Sequence, residues 1–295
     1  MVREMGNVKY LIAKESDYSW GAVISTVGIQ ETPAGASYPY GEHPKEYIFR
    51  VDKGRVLHDF HILYILKGRG WVTTAHCPKT RLRAGDAVVI FPDEWHSYAP
   101  EPETGWTEAW IDFTGDFADR IMTKHFFDIS HPVLRVGISD TICNAFSKAV
   151  EVADQEPPAH QQQLGGFAVL IVGYIFAKSK QQPYKGNPDT DYINLARKYM
   201  RENLSRPLCM EDVAKEVGMG YSKFRKLFRN YTGFSPTQYF LNLKLEKAKD
   251  YLSNTRLSCK EIAFRLGFDT ASYFNKMFRQ RHGITPQEFR GQLMP

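Results

Sequence analysis

The sequence predicts an α+β chain of two domains, an N-terminal β-barrel followed by a helical region and a C-terminal all-α domain with two helix-turn-helix motifs. Three features of its 295 residues point there. Residues 20–115 run as short β-branched and aromatic segments between glycine and proline turns, the pattern of closely spaced strands. Residues 139–178 hold two apolar patterns at helical period. The C-terminal third carries one motif twice, each copy reading as two short helices around a glycine, which is how a helix-turn-helix is built.

The strand segments are FHILYILKGRGWVTT, RAGDAVVIF and WTEAWIDF. Their length and spacing fit a small antiparallel barrel or jelly roll. Two helices follow, from Ser139 to Asp154 and from His160 to Lys178, separated by Pro157-Pro158. Ile142, Phe146 and Val150 form a stripe on the first, and Leu164, Ala168, Ile171 and Ile175 form one on the second. Such stripes pack onto the barrel or pair with a second chain. The polar, breaker-rich QQPYKGNP reads as a linker. The expected layout is 1–137 barrel, 138–180 helical dimerisation or connector region, 181–189 linker and 190–295 helix-turn-helix domain.

The repeat begins at Leu208 (LCMEDVAKEVGMGYSKFRKLFRNYTGFSPTQYF) and again at Leu257 (LSCKEIAFRLGFDTASYFNKMFRQRHGITPQEFR). Val213-Ala214 match Ile262-Ala263, small apolar residues that let two helices approach. Gly218 and Gly267 follow, where the first helix must end in a left-handed residue. Phe224 and Phe228 then match Phe274 and Phe278, four apart and so on one buried face. The offset is 49 positions at the glycines and 50 at the phenylalanines, so the second turn is one residue longer. Ser235-Pro236 and Thr285-Pro286 each read as a cap and a first-turn proline opening a new helix.

Between the copies, SPTQYFLNLKLEKAKDYL has no internal glycine and no proline after its first turn. A helix from Ser235 to Ser253 would be roughly 28 Å long at 1.5 Å per residue, approaching the ~34 Å of one duplex turn. Such a rod can hold two recognition helices in successive major grooves. Opposite the buried phenylalanines the first copy offers Tyr221, Ser222, Arg225, Lys226 and Arg229. The second offers Thr270, Ser272, Asn275, Lys276 and Arg279. Arginine suits guanine and asparagine suits adenine, while the other bases and hydroxyls more often take phosphate. Double-stranded promoter DNA is therefore the expected partner.

Charge follows the same division. Residues 191–295 carry 19 Lys plus Arg against 10 Asp plus Glu, a net +9, while the whole chain is +5 and the remainder −4. A basic end suits a polyanion and an acidic remainder suits another task. Cys77, Cys143, Cys209 and Cys259 are scattered without a CxxC pair, which argues against a zinc site or a disulfide framework. No export signal is read at the start, and the longest apolar run, Phe167 to Ala177, is short of the ~20 residues of a membrane span. A cytoplasmic protein with no membrane partner is expected.

On these residues the C-terminal domain resembles the DNA-binding domain of the AraC family of transcription regulators. The second copy carries the family signature in Ile262, Ala263, Gly267, Phe268, Ser272, Tyr273, Phe274, Phe278, Gly283, Thr285, Pro286, Phe289 and Arg290. The resemblance implies base-facing roles for Ser222, Arg225, Lys226, Ser272, Asn275 and Lys276. It also implies a homodimer, contact with RNA polymerase, and activation of transcription. The turn Lys67-Gly68-Arg69-Gly70 and the run Gly85-Asp86 to Pro92, Trp95 and His96 resemble the cupin-like sensor domain of sugar-responsive members.

A cupin-like barrel raises the question of a metal enzyme. Metal cupins resemble one another in a histidine pair two apart, a following acid and a distal histidine. Here His58 and His61 are three apart, which on a regular strand sends them to opposite faces, and no carboxylate follows before Gly68. No metal, cofactor or catalytic residue is expected, and the chain is read as a non-enzyme. Sugar sites combine aromatic faces with charged and hydroxyl-bearing side chains. His96, Tyr98, Trp106, Glu108 and Trp110 supply that mixture. By resemblance, Tyr98, Glu108, Trp110 and Arg55 align with sugar-contacting positions of the arabinose-sensing member, in which a histidine stands at the position of Glu108. A saccharide effector is the expectation, and Glu108 can still accept hydroxyl hydrogens at that position. A non-sugar effector, or a barrel that only mediates association, is the alternative. The helical region and the arm from Tyr10 to Trp20 are the two candidate routes from effector to DNA reader.

Overall fold

In the computed structural model, residues 6–39, 50–122 and 125–293 are described. The chain divides into two compact units, Met1–Lys185 and Gly186–Pro295. The first unit holds strands β1 (Gly6–Tyr10), β2 (Val23–Thr32), β3 (Arg55–Val56), β4 (Phe60–Thr74), β5 (Thr80–Arg83), β6 (Asp86–Ile90), β7 (Trp95–Pro100), β8 (Trp106–Thr114) and β9 (Val133–Arg135). Short helices α1 (Glu15–Tyr18) and α2 (Asp116–Ile121) interrupt them, and α3 (Asp140–Gln155) and α4 (His160–Gln181) close the unit.

Two antiparallel layers share one long strand. The first half of β4 pairs with β6 and β8, and its second half pairs with β5 and β7. The bend between them falls at the segment Lys67 to Gly70, which the sequence presents as a turn but which stays within β4. The β4·β8 register slips between Ile65 and Lys67, and Gly68 sits at φ +83, where a Cβ would stand 2.1 Å from the Gly105 carbonyl oxygen. A glycine bulge therefore turns one strand from layer to layer without breaking it.

Residues of β4 alternate between two cores, which is why the run reads as continuously apolar. Leu63 and Ile65 face inward with Val72, Leu82, Val88, Ile90, Tyr98 and Trp106. Ile62 and Tyr64 face outward, onto α3 and α4. There they meet Ile142, Phe146 and Val150 from α3 and Leu164, Ala168, Ile171 and Ile175 from α4. Each of the Val, Leu, Ile and Phe side chains among them contributes about 1.5–3 kcal/mol when fully buried. Both helical stripes are thus consumed by the barrel, and neither is available to a second chain. The Gln161 amide adds a clamp, accepting from the Ile24 N–H and donating to its carbonyl, both at 3.0 Å.

The second unit is all helix: α5 (Asp189–Glu202), α6 (Met210–Glu216), α7 (Tyr221–Thr232), α8 (Pro236–Asn254), α9 (Cys259–Arg265), α10 (Ala271–His282) and α11 (Pro286–Leu293). Phe224 and Phe228 anchor a core with Ile193, Ala196, Met200, Val213 and Ala214. Phe274 and Phe278 anchor a second with Leu245, Ala248, Leu252, Ile262 and Ala263. The 19-residue α8 runs between the two cores, with the Ser235 hydroxyl accepting from the Gln238 N–H at its start. Both turn glycines are left-handed, Gly218 at φ +76 and Gly267 at φ +62. The extra residue of the second turn has a use: the Thr270 hydroxyl caps α10 by accepting from the Tyr273 N–H, whereas Gly220 begins α7 with no side-chain cap.

Candidate functional sites: a barrel cavity and two recognition helices

Strand alternation sends Glu108, Trp110 and Asp112 of β8 to one side, where they line a cavity of about 200 Å³ with Ser25, Thr26 and Gln30 of β2. Arg55, Leu57, Asp59, Tyr98, Tyr38, Pro39, Tyr10 and Leu11 complete the lining. Four of the six side chains expected from the sequence, Arg55, Tyr98, Glu108 and Trp110, are therefore brought together. His96 and Trp106 are not on the wall. His96 is fully buried behind Arg55, and Trp106 belongs to the inner apolar core, edge-on to Tyr38 with ring centroids 5.7 Å apart.

Beneath the cavity lies a polar network whose proton positions follow from its partners. The His96 Nδ1 is 2.9 Å from the Glu94 carbonyl oxygen, which can only accept, so Nδ1 carries the hydrogen. Its Nε2 is left to accept from the Arg55 Nε at 3.3 Å. Burial pushes the His96 pKa down to about 3, consistent with a neutral ring. Arg55 also donates to the Tyr98 hydroxyl at 2.6 Å, and that hydroxyl lies 3.3 Å from the His61 Nε2. Asp112 takes the His61 Nδ1 hydrogen and accepts from the Thr26 hydroxyl at 3.0 Å. The rings of His61, Tyr98 and His96 lie nearly parallel, 5.8 to 6.2 Å apart. His61 is buried, while His58 is exposed and held by Asp93. Among the described residues no group of three His, Cys, Asp or Glu side chains is placed to hold a metal ion.

The carboxylates of the cavity differ in their surroundings. Burial dominates at Glu108 and raises its pKa to about 7, even though the Tyr38 hydroxyl donates to it at 3.0 Å. At Asp112 burial pulls the same way but is outweighed by the charge and hydrogen bond of His61, so its pKa is lowered. Trp110 is fixed at its polar edge, its indole N–H donating to the Thr26 hydroxyl at 3.1 Å.

Tyr38 carries no individual signal in the sequence. Asp112 and Thr26 were within reach of a period-2 reading: Asp112 continues the Glu108, Trp110 series, and Thr26 is its register partner on β2.

In the helical unit, Ser222, Arg225, Lys226 and Arg229 are exposed on α7, and Ser272, Asn275, Lys276 and Arg279 are exposed on α10. Tyr221 is half-buried and packs against the first core, and Thr270 spends its acceptor on the α10 cap. Lys223 also lies on α7 but is paired with Asp189 at 2.7 Å, which ties α7 to the start of α5. Two exposed faces of bases, hydroxyls and an amide, each backed by two buried phenylalanines, have the composition of DNA-reading helices.

Comparison with known proteins agrees with both halves. Residues 25–165 match the family model of an AraC-like ligand binding domain, and residues 213–292 match that of a helix-turn-helix domain. The chain is 25% identical over 249 residues to the Msm operon regulatory protein of Streptococcus mutans, covering 81% of this chain and 87% of that protein. It is 25% identical over 246 residues to the raffinose operon transcriptional regulatory protein of Pediococcus pentosaceus, covering 82% and 88%. It is also 25% identical over 248 residues to the MmsAB operon regulatory protein of Pseudomonas aeruginosa, covering 81% and 78%. No helix among the described residues is long and apolar enough to cross a membrane. The chain belongs to the AraC family of DNA-binding transcription regulators, with a ligand-binding domain preceding its helix-turn-helix domain.

Proposed function

We propose that the chain is a saccharide-responsive regulator, acting in the cytoplasm as a homodimer and activating transcription through contact with RNA polymerase. The observation that carries the sensing half is the cavity, which sets the Trp110 indole beside Glu108, Asp112 and Arg55. An aromatic surface packs on sugar C–H faces while carboxylates accept hydroxyl hydrogens. The operon named in the Pediococcus relative is that of a saccharide, which supports the same reading. In the DNA-reading half, Ser222, Arg225 and Lys226 and then Ser272, Asn275 and Lys276 face bases, with Arg229 and Arg279 on phosphate.

The arm is the favoured route from ligand to reader. Tyr10 and Leu11 line the cavity, and seven residues after Tyr10 the Asp17 carboxylate accepts from the Gln162 amide of α4 at 2.9 Å. A ligand that contacts the arm in one arrangement only shifts the population toward it. Because the α3 and α4 stripes are spent on the barrel, dimerisation uses the outward side of α4, where Leu170 and Tyr174 are exposed. Thermal-shift screening of the full chain against sugars, sugar acids and aromatic acids tests the sensing role. Stabilisation by saccharides is expected, and stabilisation by aromatic acids alone replaces the sugar with another effector. A barrel that only mediates association responds to none of them.

A further inference from the structure

The charges lining the cavity are unbalanced and unequally available. Asp59, Glu108 and Asp112 are carboxylates, and Arg55 is the one cation among the described lining residues. Arg55 is turned to the wall, donating to the Tyr98 hydroxyl at 2.6 Å and to the His96 Nε2 at 3.3 Å. These bonds engage two of the five guanidinium N–H donors on the wall. The carboxylates keep capacity: Glu108 accepts from Tyr38 at 3.0 Å and Asp59 accepts from Ser25 at 2.5 Å, while a carboxylate has about four lone-pair positions. Among the described lining residues three carboxylates thus stand against one guanidinium.

Two further observations narrow the occupant. The Trp110 N–H is committed to Thr26, which leaves the indole rings, and not its polar edge, as the surface toward the cavity. The volume of about 200 Å³ is below the ~300–1,000 Å³ of most small-molecule sites, which suits one sugar ring and not a chain of them.

Resting on the saccharide reading above, we infer that the cavity accepts an uncharged single-ring polyol and rejects sugars bearing a carboxylate, with Asp59 and Glu108 enforcing the rejection. A hydroxyl donates to these oxygens and completes their hydrogen bonding. A ligand carboxylate at the same place meets like charge in a partly desolvated site, where repulsion is far stronger than in water. Specificity is then set as much by the unfavourable pairing as by the favourable one. Asp112 is already paired with His61, so the rejection falls to Asp59 and Glu108.

The test is isothermal titration of the full chain with matched pairs, glucose with glucuronate and galactose with galacturonate, and with disaccharides of the same rings. It is repeated on the Asp59→Asn, Glu108→Gln double variant. A neutral monosaccharide is expected to bind, with its uronic acid at least tenfold weaker, the disaccharides weaker still, and the neutral-to-acid ratio at least threefold smaller in the double variant. A uronic acid that binds as well as its neutral partner, a disaccharide that binds better, or a ratio unchanged in a folded double variant overturns the inference. Should the variant not fold, the ratio in the parent chain still decides. Failure of every neutral and acidic sugar to bind removes the saccharide reading itself, a result distinct from binding with the wrong charge preference.

Discussion

The six-membered ring of Trp110 lies against the backbone of Gly28, its register partner on β2: a methyl at Gly28 would stand 2.5 Å from Cζ2 and 2.6 Å from Cη2 of the indole. Gly28 thus sets where the aromatic surface of the cavity lies. Gly28→Ala is expected to cost about 1–3 kcal/mol through overpacking and to weaken saccharide binding at least tenfold. In a Trp110→Ala background the same methyl should cost close to nothing. Denaturant melts of the four chains of this double-mutant cycle measure the coupling, and additive costs would show that the ring and the glycine are independent.

Glu108 should leave a pH signature. Its folded pKa of about 7 stands above the ordinary 4.5, so between those values the folded state binds more protons than the unfolded state. Its contribution therefore favours folding below about pH 4.5 and is lost as pH rises to about 7. The groups facing it are Tyr38, Tyr98 and Arg55, together with Trp106. Glu108→Gln removes this titration, so the stability of the variant relative to the parent should rise by on the order of 3 kcal/mol from pH 4.5 to 7.5. Melting curves of both chains across that range check it, and a constant difference would contradict a buried, shifted carboxyl.

The helical unit was legible because its turns demand particular residues. Gly218, Gly267, the paired phenylalanines and the caps Ser235 and Thr285 each mark a position that few residue types can fill, and the structure places α6 to α11 between those marks. The α3 and α4 stripes were visible, but periodicity shows that a face is buried and not what covers it. Amphipathic pattern could not distinguish the barrel from a second chain. Lys67 to Gly70 has the composition of a turn, yet two glycines serve equally to bend a strand, and pairing with β5, β7 and β8 keeps it within β4. In the cavity, Trp106 and Trp110 look alike in sequence, and their positions along β8 separate them: Trp106 faces the inner core at the strand's start, whereas Trp110 faces the opening beside Gly28.

The two turn glycines give an internal comparison. Both are left-handed, a conformation costing other residues about 1–2 kcal/mol, but a Cβ at Gly218 meets nothing within 4 Å while one at Gly267 stands 2.9 Å from the Ser205 carbonyl oxygen. Both alanine variants should be destabilised, and Gly267→Ala by about 1 kcal/mol more. Thermal melts of the two variants check the order, and a reversed order would contradict the packing at the second turn.

On α7, Arg225 is exposed with no ion pair among the described residues. Arg225→Ala is expected to weaken specific DNA binding by about 1–3 kcal/mol and to relax preference at one base pair. Selection from a randomised operator library reads both effects. An equal loss on random DNA would assign Arg225 to phosphate instead.

One rod, α8, joins two readers that differ in turn length and in the side chains they present, so a monomer should recognise an asymmetric site spanning two successive major grooves, under control of the barrel's ligand. The most direct measurement is the affinity of the full chain for its selected operator, by fluorescence anisotropy, with and without each member of a broad saccharide panel, alongside transcription from that promoter. At least one neutral monosaccharide should change affinity, half-site spacing preference or transcript level, and Trp110→Ala should abolish the change while leaving unliganded DNA binding intact. A panel that leaves all three quantities unchanged would contradict a saccharide-controlled reader.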